Sequence, residues 1–475
     1  MWSLLQNSSI RGIFVFFLML LSSCISRTIP SIEKRLCQAE YDLLRLWEGV
    51  EEPIVLTIDE AIDMALERNL ELLVKEHELA VQQETATAVK FKMMPKLIAN
   101  AEDSIRSHPL AAFSESLQPG VPPAPLSISA PKKIRTYDIT LAWNILDFGL
   151  SYYRARQETN KVTVQELEYE RLAQSLILKV VKAYYLVAGD QVVWEHATAV
   201  KSKMEQVKAA VGRHMASGEI SQAQGAAILN QILTNQDDME VFFLDGIQNL
   251  ADFKNLLGLP PSLEVRLVTP EPTLQVGELP PIEELEQTAL ITRPELYSDD
   301  IKERVWRDEV IASILQIFPE LTPFISANFD GNRFLLFNRW WVAGIRASYN
   351  LLAAPLHIAE ARTIEQQIAL THANRLMMSL TVISQVRLAS LTYLDQLDRF
   401  RVMKEMYDAR NLLYQVAKKR YDLGALGDVE EVLTSYIALE GEYKMRRAWA
   451  QLKGSLEQVN NAVGVPLYFK SEDKL

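Results

Sequence analysis

Several absences narrow the reading before any motif is considered. Cysteine is nearly missing: Cys24 and Cys37 are the only two in 475 residues, so at most one disulfide can form and no bridged framework organises the chain. Surplus positive charge is missing too. Lys and Arg number 49 against 61 Asp and Glu, a net charge of −12, which leaves no excess cations to displace counterions and argues against nucleic acid as a partner. No G-x-S-x-G, P-loop or H-E-x-x-H signature occurs, and His77, His108, His196, His214, His357 and His372 share no ligand spacing. The residues therefore point to no enzyme, no metal and no cofactor. Met377-Met378 and Met403 with Met406 could suggest soft-metal handling, but methionine on a helix is more often core filler. Proline is absent between Pro131 and Pro260 and again between Pro355 and Pro466. After the N-terminal segment no apolar run reaches the ~20 residues of a spanning helix, so any membrane crossing must be made by strands.

What is present is a repeat. Ile58, Glu60, Ala65, Leu66, Glu71, Leu72 and Pro95 recur 224 residues later as Ile282, Glu284, Ala289, Leu290, Glu295, Leu296 and Pro319. Further on the offset is 206: Asn144, Leu146, Ala155, Arg156, Gly218, Asn255, Gly258 and Pro260 become Asn350, Leu352, Ala361, Arg362, Gly424, Asn461, Gly464 and Pro466. The difference of 18 residues must lie between Pro95 and Asn144. Length alone would suggest about three domains; the repeat indicates two similar halves, 56–258 and 282–475, joined by a proline-rich linker at 259–281.

Residues 1–23 read as an export signal. Arg11 precedes a short apolar core from Ile13 to Leu21, and Leu21-Ser22-Ser23-Cys24 follows. Small residues before a cysteine at that point resemble a bacterial lipobox. In that reading Cys24 is the acylated first residue of a lipidated N-terminal segment, 24–55, and Cys37 has no partner. Ile25 after the cysteine favours outer-membrane sorting. The alternative is an ordinary signal peptide with an incidental cysteine.

The proline-free stretches carry apolar residues at helical spacing. Residues 150–216 and 356–422 predict helices that stop at Gly218 and Gly424, each about 100 Å long. Shorter helices are predicted at 57–93, 221–257, 282–317 and 429–463; the first opens on a Thr57-x-x-Glu60 capping box and the second ends at Gly258, a plausible C′ glycine. Between the short and long helices the period changes to two. Tyr137, Ile139, Leu141, Trp143 and Ile145 alternate with small and polar residues, as do Trp341, Ala343, Ile345, Ala347, Tyr349 and Leu351. With weaker strands at 96–106 and 323–331, each half holds a hairpin, within 96–145 and 323–351. Four strands cannot close a barrel, whose smallest members have about eight. The hairpins are either soluble, with one buried face, or pooled among several chains. Aromatic residues near the strand ends favour a membrane.

In order and spacing these features resemble the TolC-like outer membrane efflux proteins. The residues that carry the likeness are Leu56-Thr57-Ile58-Asp59-Glu60-Ala61 with Ala65-Leu66 and Asn69, and Leu285, Ala289-Leu290 and Arg293-Pro294-Glu295-Leu296. Pro95 and Pro319, Trp143-Asn144-Ile145-Leu146-Asp147-Phe148-Gly149, Tyr349-Asn350-Leu351-Leu352, and Arg420-Tyr421-x-x-Gly424 followed by Glu431-Val432-Leu433 complete it. The likeness covers about residues 50–467. It implies a mainly α fold with a membrane β-barrel contribution: long antiparallel helices form a periplasmic tube, and four transmembrane strands per protomer join a trimeric barrel. It also implies a homotrimer in contact with outer-membrane lipid, a periplasmic adaptor, an inner-membrane pump and a passive duct. Leu70 stands where the family usually has proline, the first turn (Ser217-Gly218-Glu219-Ile220-Ser221) lacks the acidic run of the second, and Glu431 is one residue further from Gly424 than in some members.

Asp428, Glu430 and Glu431 stand where the second long helix reverses. In a threefold assembly each acid becomes a ring that favours cations, an acidic periplasmic mouth, and the turns at Gly218 and Gly424 would meet the adaptor. The plainer reading is local: Asp428-x-x-Glu431 fits a capping box, and acids favour a helix N-terminus. Two classes of function remain open, an outer-membrane efflux or type I secretion duct and a lipid-anchored periplasmic scaffold without a pore.

Overall fold

The computed structural model describes residues 29, 31–49, 53–112, 127–273, 279–350 and 352–464. Cys24, most of the proline-rich 107–133 segment and Leu351 lie outside these.

Each half is built from the same series. The first comprises helices α2 (Ile58–Arg68) and α3 (Leu70–Phe91), strand β2 (Lys96–Ile105), strand β5 (Lys133–Ala142), the 73-residue helix α4 (Ile145–Ser217) and helix α5 (Gln222–Leu256). The second comprises α6 (Ile282–Thr292), α7 (Pro294–Leu315), β7 (Glu320–Asp330), β8 (Arg339–Ser348), the 69-residue helix α8 (Ala354–Asp422) and α9 (Asp428–Val463). Helix α1 (Ile32–Leu46) and the short strands β1 (Ile54–Leu56), β3 (Leu110–Ala112), β4 (Ser127–Ala130) and β6 (Val265–Leu267) complete the chain. At 1.5 Å per residue α4 and α8 each run roughly 100 Å. Among the described residues no helix is long and apolar enough to cross a membrane.

The repeat holds at element boundaries. The first and last residues of α2 and α3, shifted by 224, are those of α6 and α7. Both predicted single helices, 57–93 and 282–317, are in fact broken in two, at Asn69 and Arg293, positions 224 apart. Different chemistry makes the two breaks. Asn69 is extended (φ −66°, ψ 124°), and its Oδ1 accepts from the backbone N–H of Glu71 and Leu72, so its side chain starts a new helix. Arg293 precedes Pro294, which sits in the first turn of α7; proline forces the preceding residue out of helical geometry and is well suited to a helix start. The first half thus keeps the break without the proline.

The linker and the loop are also less plain than predicted. Residues 265–267 of the linker form β6, paired in parallel with β1. Tyr184, at the middle of α4, donates its hydroxyl to the carbonyls of Leu56 and Val268, at 3.1 and 2.7 Å, which ties this pair to the waist of the long helix. The 107–133 segment holds the β3–β4 hairpin. The predicted Thr57–Glu60 capping box is formed.

The main core lies around this waist, where Tyr184, Phe253, Tyr393, Phe400 and Trp449 are fully buried. A second apolar cluster, including Met204, Ile232, Met239 and Val432, continues towards the helix ends. Helix α4 packs on α9 there, and α9 on α8.

Candidate functional site

Strands β2, β5, β7 and β8 form one antiparallel sheet in the order β2-β5-β7-β8. The register brings all odd-numbered residues to one face: Leu97, Ala99 and Ala101 beside Tyr137, Ile139 and Leu141, then Ile325, Ala327 and Phe329, then Trp341, Ala343 and Ile345. Between its charged outer positions that face is apolar, and among the described residues nothing covers it; Leu97, Trp341 and Ile345 are 70, 72 and 75 % exposed. The opposite face carries most of the polar residues, beside Ile98, Phe324, Trp340 and Val342, and is internally bonded. Asn100 Nδ2 and Thr140 Oγ1 both donate to Asp138 Oδ2, at 3.0 and 3.1 Å, and Asn328 Nδ2 donates to Ser326 Oγ at 3.0 Å. Among the described residues no strand pairs with the outer edge of β2 or of β8. Among the described residues the sheet is therefore open at both sides, with one face mainly apolar and the other mainly polar.

All four strands meet their helices at the same end. Trp143 Nε1 donates to the Met93 carbonyl there, at 3.2 Å. Helices α4 and α8 carry the chain away from the sheet and reverse at the far end. At the first reversal Gly218 adopts φ 77°, and Ser221 caps α5 with a Gln224 capping box. His214 pairs with Glu219 and holds that carboxyl below its ordinary range. At the second, Gly424 adopts φ 69°, Gly424 N–H donates to Tyr421 O, and Ala425 N–H donates to Arg420 O, both at 2.8 Å. Positive φ favours glycine at both points.

The three acids at this turn divide. The N-cap of α9 is Gly427, with no side-chain cap bond, so the predicted Asp428-x-x-Glu431 capping box is not formed; the helix starts one residue too early for it. Asp428 and Glu430 are exposed in the first turn. Tyr421 hydrogen-bonds Asp428, which pushes its phenol up. Glu431 is buried and turned onto Lys203 of α4, with Oε1 and Nζ 2.6 Å apart. Its charge is balanced within the chain. Burial works most strongly against the Lys203 ammonium, but the hydrogen bond and charge of Glu431, with Tyr414 and Tyr421, together raise the lysine. Further along the same seam Glu442 is buried between His196 Nδ1, at 2.7 Å, and Arg446 Nε, at 2.9 Å. Sequence reasoning missed the Lys203–Glu431 and His196–Glu442 contacts, because helix residues more than 200 apart leave no local pattern. Among the described residues no group of three or more His, Cys, Asp or Glu is placed to hold a metal ion.

No sequence-family model and no curated protein matches the chain. Solved structures do. The outer-membrane channel OprN is 16 % identical with a TM-score of 0.65, over 86 % of this chain and 89 % of that one. The CmeC outer membrane channel of Campylobacter jejuni is 15 % identical with a TM-score of 0.67, over 86 % of this chain and 85 % of that one. The open state of the MtrE outer membrane channel of Neisseria gonorrhoeae is 15 % identical with a TM-score of 0.64, over 86 % and 89 %. The chain has the fold of these proteins along most of its length.

Proposed function

We propose that this chain is one protomer of a homotrimeric outer-membrane channel, a passive exit duct for an efflux or type I secretion system. The observation that carries the proposal is the open four-stranded sheet with an uncovered apolar face. In water that face would be an aggregation surface; in lipid its open edges would be left without partners. Both problems vanish when β8 of one copy pairs with β2 of the next. Three copies pool twelve strands, above the minimum for a spanning barrel, with apolar residues towards lipid and polar residues towards the lumen. The scaffold alternative leaves the apolar face without a role.

The rest of the chain supports the same reading. Helices of roughly 100 Å give the tube the reach to approach an inner-membrane pump and its periplasmic adaptor. The turns at Gly218 and Gly424 end the two longest helices and would form the surface that an adaptor meets. Asp428 and Glu430 would ring the mouth, while Glu431 serves the helix seam. Cys24 would carry the lipid that directs the chain to the outer membrane.

Planar-bilayer recording of the purified trimer tests the proposal, with the intact mass reporting acylation at Cys24. The wild type should conduct with a preference for cations. Asp428→Asn with Glu430→Gln should lower that preference, because the carboxylate ring supplies the local field. Absence of conductance would defeat the duct; unchanged selectivity in a conducting variant would defeat the mouth.

A further inference from the structure

The chain as a whole is acidic, at −12, yet the end of the sheet remote from the helices is basic. Within 102–112, 127–136 and 329–340, six cations (Arg106, Lys132, Lys133, Arg135, Arg333 and Arg339) face three carboxylates (Glu102, Asp103 and Asp330). Lys133, Arg135 and Arg339 occupy odd positions and so share the apolar face. Asp103 is a single carboxylate between Lys133, at 3.5 Å, and Arg135, at 3.3 Å. Arg339 makes no ion pair with a described residue; its guanidinium lies 5.7 Å from the centroid of Phe329. Phe329 in turn stacks on Tyr137, with ring centroids 5.8 Å apart.

We propose that Lys133, Arg135 and Arg339 form a binding site for a phosphorylated lipid headgroup, beside and above the Tyr137–Phe329 ring pair and at the rim remote from the helices. The proposal rests on the outer-membrane reading, which turns this face to lipid and this rim to the outer leaflet. Aromatic rings mark the level where acyl chains meet headgroups; Arg339 stands in register with the ring pair, and Lys133 and Arg135 stand just beyond it, towards the level of the phosphates. A guanidinium presents a planar fork that fits phosphate oxygens. Resting on an aromatic face, the Arg339 guanidinium is already partly ordered, so less freedom is lost on binding. The three cations are exposed, and salt screens exposed charges, so a bare anion gains little here. A headgroup that also lays acyl chains along Ile139 and Leu141 gains the burial of apolar surface. The ligand is therefore the membrane-borne phosphate, not the free one.

The test uses the full-length trimer in nanodiscs of zwitterionic lipid doped with a phosphorylated glycolipid or with its dephosphorylated counterpart. Lipid retained per trimer is read by native mass spectrometry. Wild type should retain the phosphorylated form about tenfold better, the order expected from one charge-assisted hydrogen bond. Arg339→Gln with Arg135→Gln should remove most of that preference; Lys133 remains to pair with Asp103. Equal retention of the two lipids, or a preference that survives in the variant, overturns the site. Release of the lipid by inorganic phosphate overturns it as well, because that outcome marks a site for the bare anion. Conductance of the same preparation separates the levels: a conducting trimer without the preference sinks the site alone, and a chain that never inserts sinks the site together with the duct.

Discussion

Glu457 is buried on α9, and its carboxylate accepts from Asn460 Nδ2 at 3.0 Å. Burial pushes the carboxyl up to about 7, against the pull of the Asn460 bond. In the unfolded chain a glutamate ionises near ~4.3. Between those two values the folded protein holds one proton more than the unfolded one, so stability falls as pH rises through the window and stays lowered above it. Glu457→Gln removes the ionisation and keeps an oxygen for Asn460. It should stabilise the fold by up to about 3 kcal/mol above neutral pH and do little in acid. Urea or heat midpoints at the two pH values check this; an equal shift at both would assign the effect to packing. Nothing in the sequence marks Glu457, because the helical period around it does not say which face of α9 is covered by α4 and α8.

At the scale of elements, the repeat made the helices and hairpins legible and left their joints unread. The break at Asn69 was hidden because one apolar period runs through α2 and α3, whereas Pro294 advertised its counterpart. The β1–β6 pair was hidden because its strands have three residues each and lie more than 200 apart. Tyr184 makes that pair part of the waist. Tyr184→Phe should cost ~1–3 kcal/mol, since the carbonyls of Leu56 and Val268 lose a donor, and should speed amide hydrogen exchange in β1 and β6. Gln191 also bonds this pair, through Val265 O at 2.8 Å and Leu267 N–H at 3.0 Å. Unaltered exchange in the variant would mean that Gln191 alone suffices.

At the scale of the whole molecule, the proposed trimer is what would give the open sheet its partners. Ile139→Arg places charge on the face assigned to lipid and should cost ~2–4 kcal/mol near the bilayer midplane. Thr140→Arg, on the bonded polar face, should be mild. Heat-modifiable migration of the trimer extracted from membranes reads both. Equal loss at the two neighbours would mean that the faces do not divide lipid from lumen. The same alternation was visible in the sequence, but it fits a soluble sheet with one buried face equally well. The structure narrows the choice, since no described residue covers the apolar face.

The sequence by itself determined the duplication, the approximate lengths of the four principal strands and two long helices, and the glycines that reverse the chain at Gly218 and Gly424. These follow from period, punctuation and the rarity of positive φ outside glycine, all of which act locally. The sequence misplaced the strand-to-helix joint, because Ile145, read as strand, opens the first long helix. Only the tertiary structure decided which acid at the second turn pairs within the chain. It also decided which strand edges stay open and which cations gather at the rim. Those outcomes depend on residues far apart in the chain meeting across packed elements. Lys203 meets Glu431 only because α4 lies against α9, and Arg339 meets Phe329 only because β8 pairs with β7.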